Sequence, residues 1–452
     1  MTEHLPLPSD PRAFWYSLIN YEQRAPAAED LKLDRMRSLL ARLGDPQSRL
    51  RIVHVAGSKG KGSTSAMLAA VLRAAGYRTG LFTSPHLCHV EERFQVDGQP
   101  IAPAELTTLL AEVRDCVLGP ARSDLPPPTF FEVATAVGFL HFVRCGVEAA
   151  VVEVGLGGRF DSTNVCDPLI AAITSISFDH TKLLGSRLAS IAMEKAGIIK
   201  PGRAIVSGVT ALEARDVIEQ TAMARDAPLR QLGNHFHYTY QTGMVGPDAF
   251  RLPRVQVATW KRLWPQMQLN LLGEHQAANA SVAVACIELL REKGFNLSDA
   301  SVAQGLAEVV WPARMEVVGR RPLVVLDCAH NVASAQALVE TLQSSFPPGR
   351  RLLLFAGSSD KDIPGMFRVL GAAFDQAFLT RYTANPRSVP AEQLHEWWQT
   401  ASHRPALTFA SPSTAWTAAR AHAGPADLIC IAGSVFLAGE MRPLLLADAS
   451  IC

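Results

Sequence analysis

Between Ile52 and Leu68 the chain reads Ile52-Val-His-Val-Ala-Gly57-Ser58-Lys-Gly60-Lys61-Gly62-Ser63-Thr-Ser-Ala-Met-Leu. A short β-branched run feeds a glycine-rich turn, and the turn opens into residues suited to a helix. Gly57, Gly60 and Gly62 permit a tight bend that brings several backbone N–H groups to bear on one anion, and the helix adds its positive dipole end. Lys61 supplies a mobile cation, and the Ser63 hydroxyl is the kind of oxygen that ligates Mg²⁺ in phosphate-binding loops. Gly62 separates the lysine from the serine, so the strict G-x-x-x-x-G-K-[ST] pattern is not met, although its strand–turn–helix context is. The stretch is read as a nucleoside triphosphate site. The bland alternative is a glycine-rich turn with two exposed lysines.

Other polar groups fall where strands should end. Glu153-Val-Gly-Leu-Gly-Gly-Arg-Phe-Asp161-Ser-Thr-Asn164 follows the apolar run Ala149–Val154, so Glu153 is placed to meet a Mg²⁺ held by Ser63, or else is a solvated strand-end charge. Asp179-His180 follows another such run, and on chemistry alone His180 is either a metal ligand or a structural loop histidine. Lys195, in Glu194-Lys-Ala-Gly-Ile-Ile-Lys-Pro201, reads locally as a partner for a helix C-terminus. Asp327-Cys-Ala-His330-Asn331 offers polar groups for a ribose or phosphate, or for hydrogen bonds within its own loop.

The elements that must carry these groups alternate. Residues 14–43 read as helical, Thr64–Ala75 as a helix and Arg78–Thr83 as a strand followed by Ser84-Pro-His-Leu. Phe130–Arg144 reads as a helix, Ala149–Val154 and Leu169–Ser175 as strands, Leu188–Gly197 as a helix and Ala204–Ser207 as a strand. That rhythm predicts a mostly parallel sheet with helices on both faces. Residues 233–272 break it with alternating stretches, His235–Tyr240 and Met267–Leu272, expected as antiparallel strands. His275–Arg291 resumes as a helix. A smaller, Rossmann-like α/β unit is expected from Arg314, with strands at Leu323–Leu326, Arg351–Phe355, Ala377–Leu379, Ala406–Phe409 and Asp427–Ile431. The division expected is 1–309, a linker at 310–313, and 314–452.

Composition narrows the class. The 452 residues carry 43 basic and 42 acidic side chains, which gives no reason to expect nucleic acid or an anionic membrane as a partner, so an anionic ligand needs a local site. Eight scattered cysteines without a C-x-x-C pair argue against zinc and disulfide frameworks. No basic-then-apolar leader and no run of about 18 apolar residues is visible, so a cytoplasmic protein is expected.

With these pieces in order, the chain resembles the folylpolyglutamate synthase/dihydrofolate synthase family of the Mur ligase superfamily. The resemblance extends from Tyr21-Glu22 to Gly439-Glu440. It is carried by the glycine loop, Thr83-Ser-Pro-His-Leu87, Glu92-Arg93, Thr129-Phe-Phe-Glu132, Glu153-Val-Gly-Leu-Gly-Gly-Arg159, Asp179-His180, Glu194–Pro201, Gly273-Glu-His-Gln276, Leu326–Asn331, Asp360-Lys-Asp362 and Gly433-Ser434. It implies an α/β fold, with a P-loop ATPase domain followed by a smaller α/β domain. It also implies an ATP- and Mg²⁺-dependent ligase that joins L-glutamate to a folate-type pterin substrate through an acyl phosphate, acting as a monomer. Such chemistry needs positioning and charge neutralisation more than a protein nucleophile.

The resemblance further implies that Ser63, Ser84, Glu153 and His180 coordinate two Mg²⁺ ions. Lys195 matches a lysine carbamylated in the family. Asn279, Arg314, Asp327 and His330 match positions that hold ATP with the glycine loop, and Phe131 and Asp161 match the pterin pocket of dihydropteroate-using members. The loop departs from the family's usual G-T-N-G-K-G-S at Ser58 and Lys59, and Ser177-Phe178 and Ser162 are further departures. Two competing readings are a Mur-type ligase acting on a non-folate carboxylate and a nucleotide-binding regulator without ligation.

Overall fold

The structure, a computed structural model, describes residues 8–21, 32–119, 126–178, 185 and 187–448. The chain divides into two compact units. The first is Met1–His237, Val257–Trp264 and Asn279–Leu306, and the second is Tyr238–Gln256, Pro265–Ala278 and Ala307–Cys452.

In the first unit the order is α1 (Pro11–Ser17), α2 (Asp34–Arg42), β1 (Ile52–Ala56), α3 (Lys61–Ala74), β2 (Thr79–Phe82), β3 (Phe94–Val96) and β4 (Gln99–Pro100). Then come α4 (Pro103–Leu118), α5 (Phe130–Arg144), β5 (Ala149–Glu153), β6 (Ile170–Ile173), α6 (Leu188–Ala196), β7 (Ala204–Ser207), α7 (Leu212–Ala224) and β8 (Leu229–Gln231). The strands form one sheet ordered β4-β3-β2-β5-β1-β6-β7-β8. From β2 to β8 every pairing is parallel, and β3 and β4 add an antiparallel edge.

Strands β1, β5 and β6 are buried along their whole length, as strands covered on both faces must be. β1 lies between β5 and β6, so the chain crosses over it between those two strands. That reversal opens a crevice at the carboxyl ends of the strands.

Helix α5 shows how local sequence aims a side chain. Thr129 and Glu132 form a capping box, with Thr129 N–H donating to Glu132 Oε2 at 2.7 Å and Glu132 N–H to Thr129 Oγ1 at 3.2 Å. Arg35 Nε donates to both oxygens of the same buried carboxylate at 3.2–3.3 Å. Trp15 stacks on Phe130 with ring centroids 4.4 Å apart. The first turn, and Phe131 within it, is therefore held from three sides.

In the second unit, Tyr240 accepts from the Gly273 N–H at 3.2 Å. The surrounding stretch holds short strands: β9 (His237–Gln241), β10 (Met244–Val245), β11 (Phe250–Arg251), β12 (Arg254–Ala258) and β13 (Met267–Gln268). They form two small sheets, β10-β11 and β13-β12-β9. Helices α8 (Glu274–Glu292) and α9 (Asp299–Glu308) follow in the chain but lie mostly in the first unit, and the second resumes with β14 (Glu316–Arg320), β15 (Leu323–Leu326), α10 (Val332–Ser345), β16 (Arg351–Phe355), α11 (Ile363–Leu370) and β17 (Gln376–Leu379). The chain closes with α12 (Ala391–Ser402), β18 (Ala406–Thr408), α13 (Pro412–His422), β19 (Leu428–Ala432) and α14 (Val435–Ala447). The sheet order is β14-β15-β19-β16-β17-β18, parallel except for β14. Leu323, Val325, Leu353, Phe355, Phe367 and Trp398 form its core.

The α/β class is as expected from the sequence. The expected helix across 14–43 is instead two helices, with residues 22–31 outside the described set. Asp10 accepts from Ala13 N–H at 2.7 Å and starts α1 early, and Leu18, in an extended conformation, ends it. Of the antiparallel strands expected at 235–240 and 267–272, β9 and the two-residue β13 are present, with β12 between them.

Candidate active site

Two glycines in the loop after β1 have no room for a side chain. Gly57 has φ +153°, and a Cβ there would lie 1.9 Å from Thr174 Oγ1. Gly60 has φ +83°, and a Cβ would lie 2.1 Å from Asn279 Oδ1, so Asn279 is seated against the loop. Gly60 also starts α3, and among the described residues no side chain caps that helix. Having no side chain, Gly60 sets no capping acceptor of its own against the helix's first N–H groups, those of Gly62 and the buried Ser63 among them. Lys61 folds back, its Nζ 3.2 Å from Gly57 O.

The loop is pinned from the side by hydroxyls at the end of β6. Lys59 N–H donates to Ser175 Oγ at 3.0 Å, and Lys59 O accepts from Ser175 Oγ at 2.9 Å and from the Thr174 hydroxyl. Ser58 Oγ donates to Ser177 O and accepts from Ser177 N–H, both at 3.0 Å. The Ser58 side chain therefore ties two loops together. Thr174 and Ser175 escaped the sequence reading; hydroxyl residues closing an apolar strand beside a glycine loop are the signal that could have found them.

Glu153 ends β5, buried, and its Oε2 accepts from Ser84 N–H at 3.2 Å. Because β2, β5 and β1 are neighbours, Ser84, Glu153 and the glycine loop all emerge at carboxyl ends of adjacent strands. His180 lies outside the described residues. Lys195, in the last turn of α6, is also buried, with Nζ 3.5 Å from Gly157 O. A Cβ on Gly158 would meet Glu194 O at 2.8 Å and Lys195 Cα at 3.0 Å, so the loop after Glu153 packs directly on the lysine's backbone.

The ring of Phe131 lies over the same loop: a Cβ on Gly155 would stand 2.5 Å from its Cζ. Asp161 is buried and accepts from Leu156 N–H at 2.8 Å, from Thr163 N–H at 3.0 Å and from the Thr163 hydroxyl. Burial pushes its carboxyl up from the ordinary value, against the hydrogen bonds of Thr163, Leu156 and Gly155.

In the second unit, Asp327 follows directly on β15 and accepts from Met315 N–H at 2.8 Å and Ala329 N–H at 2.7 Å. Burial raises its carboxyl above the ordinary value, opposed by the Arg314 guanidinium and these N–H groups. His330 Nδ1 donates to Cys328 O at 2.7 Å, and Arg314 Nη1 donates to Ala313 O at 3.0 Å. Among the described residues one further group of metal-type donors converges, Glu105, His141 and Cys145. There His141 Nδ1 is already bonded to Glu105 Oε1 at 2.8 Å and lies 3.6 Å from Cys145 Sγ, a hydrogen-bonded tie between α4 and α5.

A glycine phosphate loop on a parallel sheet, with a second parallel α/β unit after it, is the build of a Mur-type ligase. Residues 127–287 match the family model of the Mur ligase middle domain, and residues 313–435 that of the Mur ligase glutamate ligase domain. The dihydrofolate synthase/folylpolyglutamate synthase of Bacillus subtilis is 38% identical over 340 residues, 75% of this chain and 78% of that protein. Two solved structures are similar throughout. Folylpolyglutamate synthase of Mycobacterium tuberculosis, complexed with ADP and AMPPCP, has a TM-score of 0.85 at 33% identity, covering 92% of this chain and 96% of that one. E. coli FolC in complex with DHPP and ADP has a TM-score of 0.84 at 29% identity, covering 98% and 99%. The chain belongs to the dihydrofolate synthase/folylpolyglutamate synthase family, and thereby to the ATP-dependent ligases that form a carbon–nitrogen bond. No helix among the described residues is long and apolar enough to cross a membrane.

Proposed function

We propose that this chain forms the amide bond between L-glutamate and a folate-type carboxylate, that of dihydropteroate, of a tetrahydrofolyl-polyglutamate, or of both. The γ-phosphoryl group of ATP passes to the acceptor carboxylate. The amino group of glutamate then attacks the acyl phosphate, and ADP and phosphate leave. The observation that carries this reading is the glycine loop with its helix start left uncapped, gathered with Ser84 and Glu153 at adjacent strand ends. Such a site holds and neutralises phosphate without a protein nucleophile.

In this reading the backbone of Gly57, Ser58, Gly60 and Gly62 cradles the phosphates, and Lys61 swings from Gly57 O to meet them. Ser63, Ser84 and Glu153 offer hard oxygen donors, a set that fits Mg²⁺, and His180 completes it by resemblance. Bound there, Mg²⁺ neutralises phosphate charge during transfer. Buried Lys195 carries CO₂ as a carbamate, formed from its neutral amine with loss of a proton. Asn279 contacts the nucleotide beside Gly60. Arg314, Asp327 and His330 are the proposed nucleotide contacts of the second unit, Asp327 acting through the backbone it holds. Phe131 and Asp161 form the folate side. A functional boundary at 309–314, a monomer and a cytoplasmic setting complete the proposal.

The test is ADP release with glutamate plus dihydropteroate, tetrahydrofolate or no acceptor. Release that requires either folate compound upholds the reading, and release indifferent to both removes it.

A further inference from the structure

In β1 the sequence neighbours of His54 are Ile52, Val53, Val55 and Ala56, every residue of the strand is buried, and His54 is completely so. Its Nε2 lies 2.8 Å from Thr163 Oγ1. Thr163 has one hydroxyl proton and gives it to Asp161 Oδ1, so towards the ring it accepts, and His54 carries its proton on Nε2. That leaves Nδ1 as a buried lone pair without a partner among the described residues. Burial, with the nearby Lys200 ammonium, lowers the ring's pKa to about 3, so it stays neutral. Lys200 Nζ in turn donates to Asn164 O at 2.7 Å, on the same turn as Thr163.

A neutral imidazole with one unsatisfied nitrogen is a poor core residue, and an aliphatic side chain would avoid that desolvation penalty. What the histidine adds is direction. Its N–H fixes the Thr163 hydroxyl, which fixes the Asp161 carboxylate, and Asp161 Oδ2 holds Leu156 N–H at 2.8 Å. The chain of bonds starts on the strand that leads into the glycine loop and ends in the turn just after Glu153. Gly155, in that turn, is the surface against which Phe131 lies.

We propose that His54 is a positioning residue for the folate side of the site: through Thr163 and Asp161 it fixes the Gly155–Leu156 turn beneath the Phe131 ring, and so sets affinity for the pterin-bearing acceptor. The inference rests on the reading of Phe131 and Asp161 as the folate side. A flat ring bound against backbone tolerates little movement of that backbone, whereas phosphate contacts on the α3 side do not pass through this chain of bonds.

The experiment measures KM for ATP and for whichever of dihydropteroate or tetrahydrofolate proves active, in H54L, H54Q, T163V, T163S and D161N. H54L and T163V should raise the acceptor KM about tenfold and leave the ATP KM within about twofold. H54Q, whose amide N–H stands near the Nε2 position, and T163S, which keeps the hydroxyl, should recover most of the loss. Equal changes in both KM values, or no change, overturn the proposal. Should H54L not fold, the T163V and T163S pair decides alone. D161N separates the layers. If it leaves the acceptor KM unchanged, the folate-side reading fails; if it raises that KM while H54L and T163V do not, only the role of His54 falls.

Discussion

Two helices, α3 and α10, leave the carboxyl ends of buried parallel strands, and their first turns are built in opposite ways. α3 starts at Gly60, in a left-handed conformation and without a side-chain cap. α10 starts at Asn331, whose Oδ1 accepts from Ser334 N–H at 2.9 Å while Ser334 Oγ accepts from Asn331 N–H at 3.1 Å. Just before it, Asp327 holds two more backbone N–H groups. The same four orphan donors of a helix start can thus be kept open for an anion or consumed by the protein's own side chains. Glycine does the first and Asp/Asn the second. In the proposed reading one terminus is a binding device, and the other chiefly holds its own loop together.

The largest effect expected from this contrast is at Lys61. Lys61→Ala should slow glutamate-dependent ADP release by about 10²-fold or more, because a charge-assisted contact that strengthens in the transition state is lost. The thermal midpoint should stay where it is, since among the described residues the side chain's one hydrogen bond is to Gly57 O, on the glycine loop itself. Near-normal turnover would break the comparison at its open end.

At the closed end the currency changes to stability. Asp327→Asn leaves one acceptor oxygen for two buried N–H donors and should cost about 1–3 kcal/mol of unfolding free energy in denaturant titration. An ATP KM that rises more than about tenfold with stability unchanged would instead make this loop a ligand device like the other.

Each unit also holds a histidine that its surroundings keep neutral, His54 fully buried and His275 half-buried, which permits a finer comparison. His54 is lowered to about 3 by burial and Lys200, and His275 to about 4 by burial and Arg314. Below the ordinary value of 6.5 the unfolded chain takes a proton that the folded chain refuses, so stability falls as pH falls through this window. Each histidine contributes up to about 1.4 kcal/mol per pH unit, His275 down to about pH 4 and His54 further. Urea midpoints between pH 6.5 and 4.5 should therefore slope less steeply in H54Q and in H275Q than in the parent. Parallel slopes would remove the linkage. The smallest effect is at the cap itself: Asn331→Ala should cost about 1 kcal/mol with the ATP KM unmoved, and the two readings are separable in one preparation by melting and kinetics.

What could be read from the sequence was whatever is contiguous. Phe130–Arg144 is visible because Thr129 and Glu132 announce its start, and the buried strands at 149–153 and 351–355 because both faces of a covered strand are apolar. The glycine loop is legible for the same reason: chemistry and geometry share a dozen neighbouring residues. The antiparallel edges are not. β3 and β4 are three and two residues long around Asp97-Gly98, too short for a periodicity to register. Helix α11 covers only eight residues, and α14 carries Pro443 inside it. At the site, the pinning of Lys59 by Thr174 and Ser175, and the bonds from His54 to Asp161, join residues more than a hundred positions apart. No local pattern marks them, and His54 passes as one polar interruption in an apolar strand.

The position of β1 has a consequence for how the chain acquires its structure. Its partners are Ala150–Glu153 on one side and Ile170–Ile173 on the other. A ribosome delivers Ile52–Ala56 early, but nothing for it to pair with on either flank appears until about a hundred residues later. Pairings of such span close slowly, because the loop entropy is spent before the contact forms. Until Glu153 has emerged, a nascent chain exposes an apolar segment with two unpaired edges, and until Ile173 has emerged it keeps one of them, a form open to chaperones and to aggregation. The strand that leads into the glycine loop is thus the first of its sheet to be made, yet it is flanked on both sides only once Ile173 has emerged; in the proposed reading, nucleotide can bind only after the middle of the sheet has closed around it.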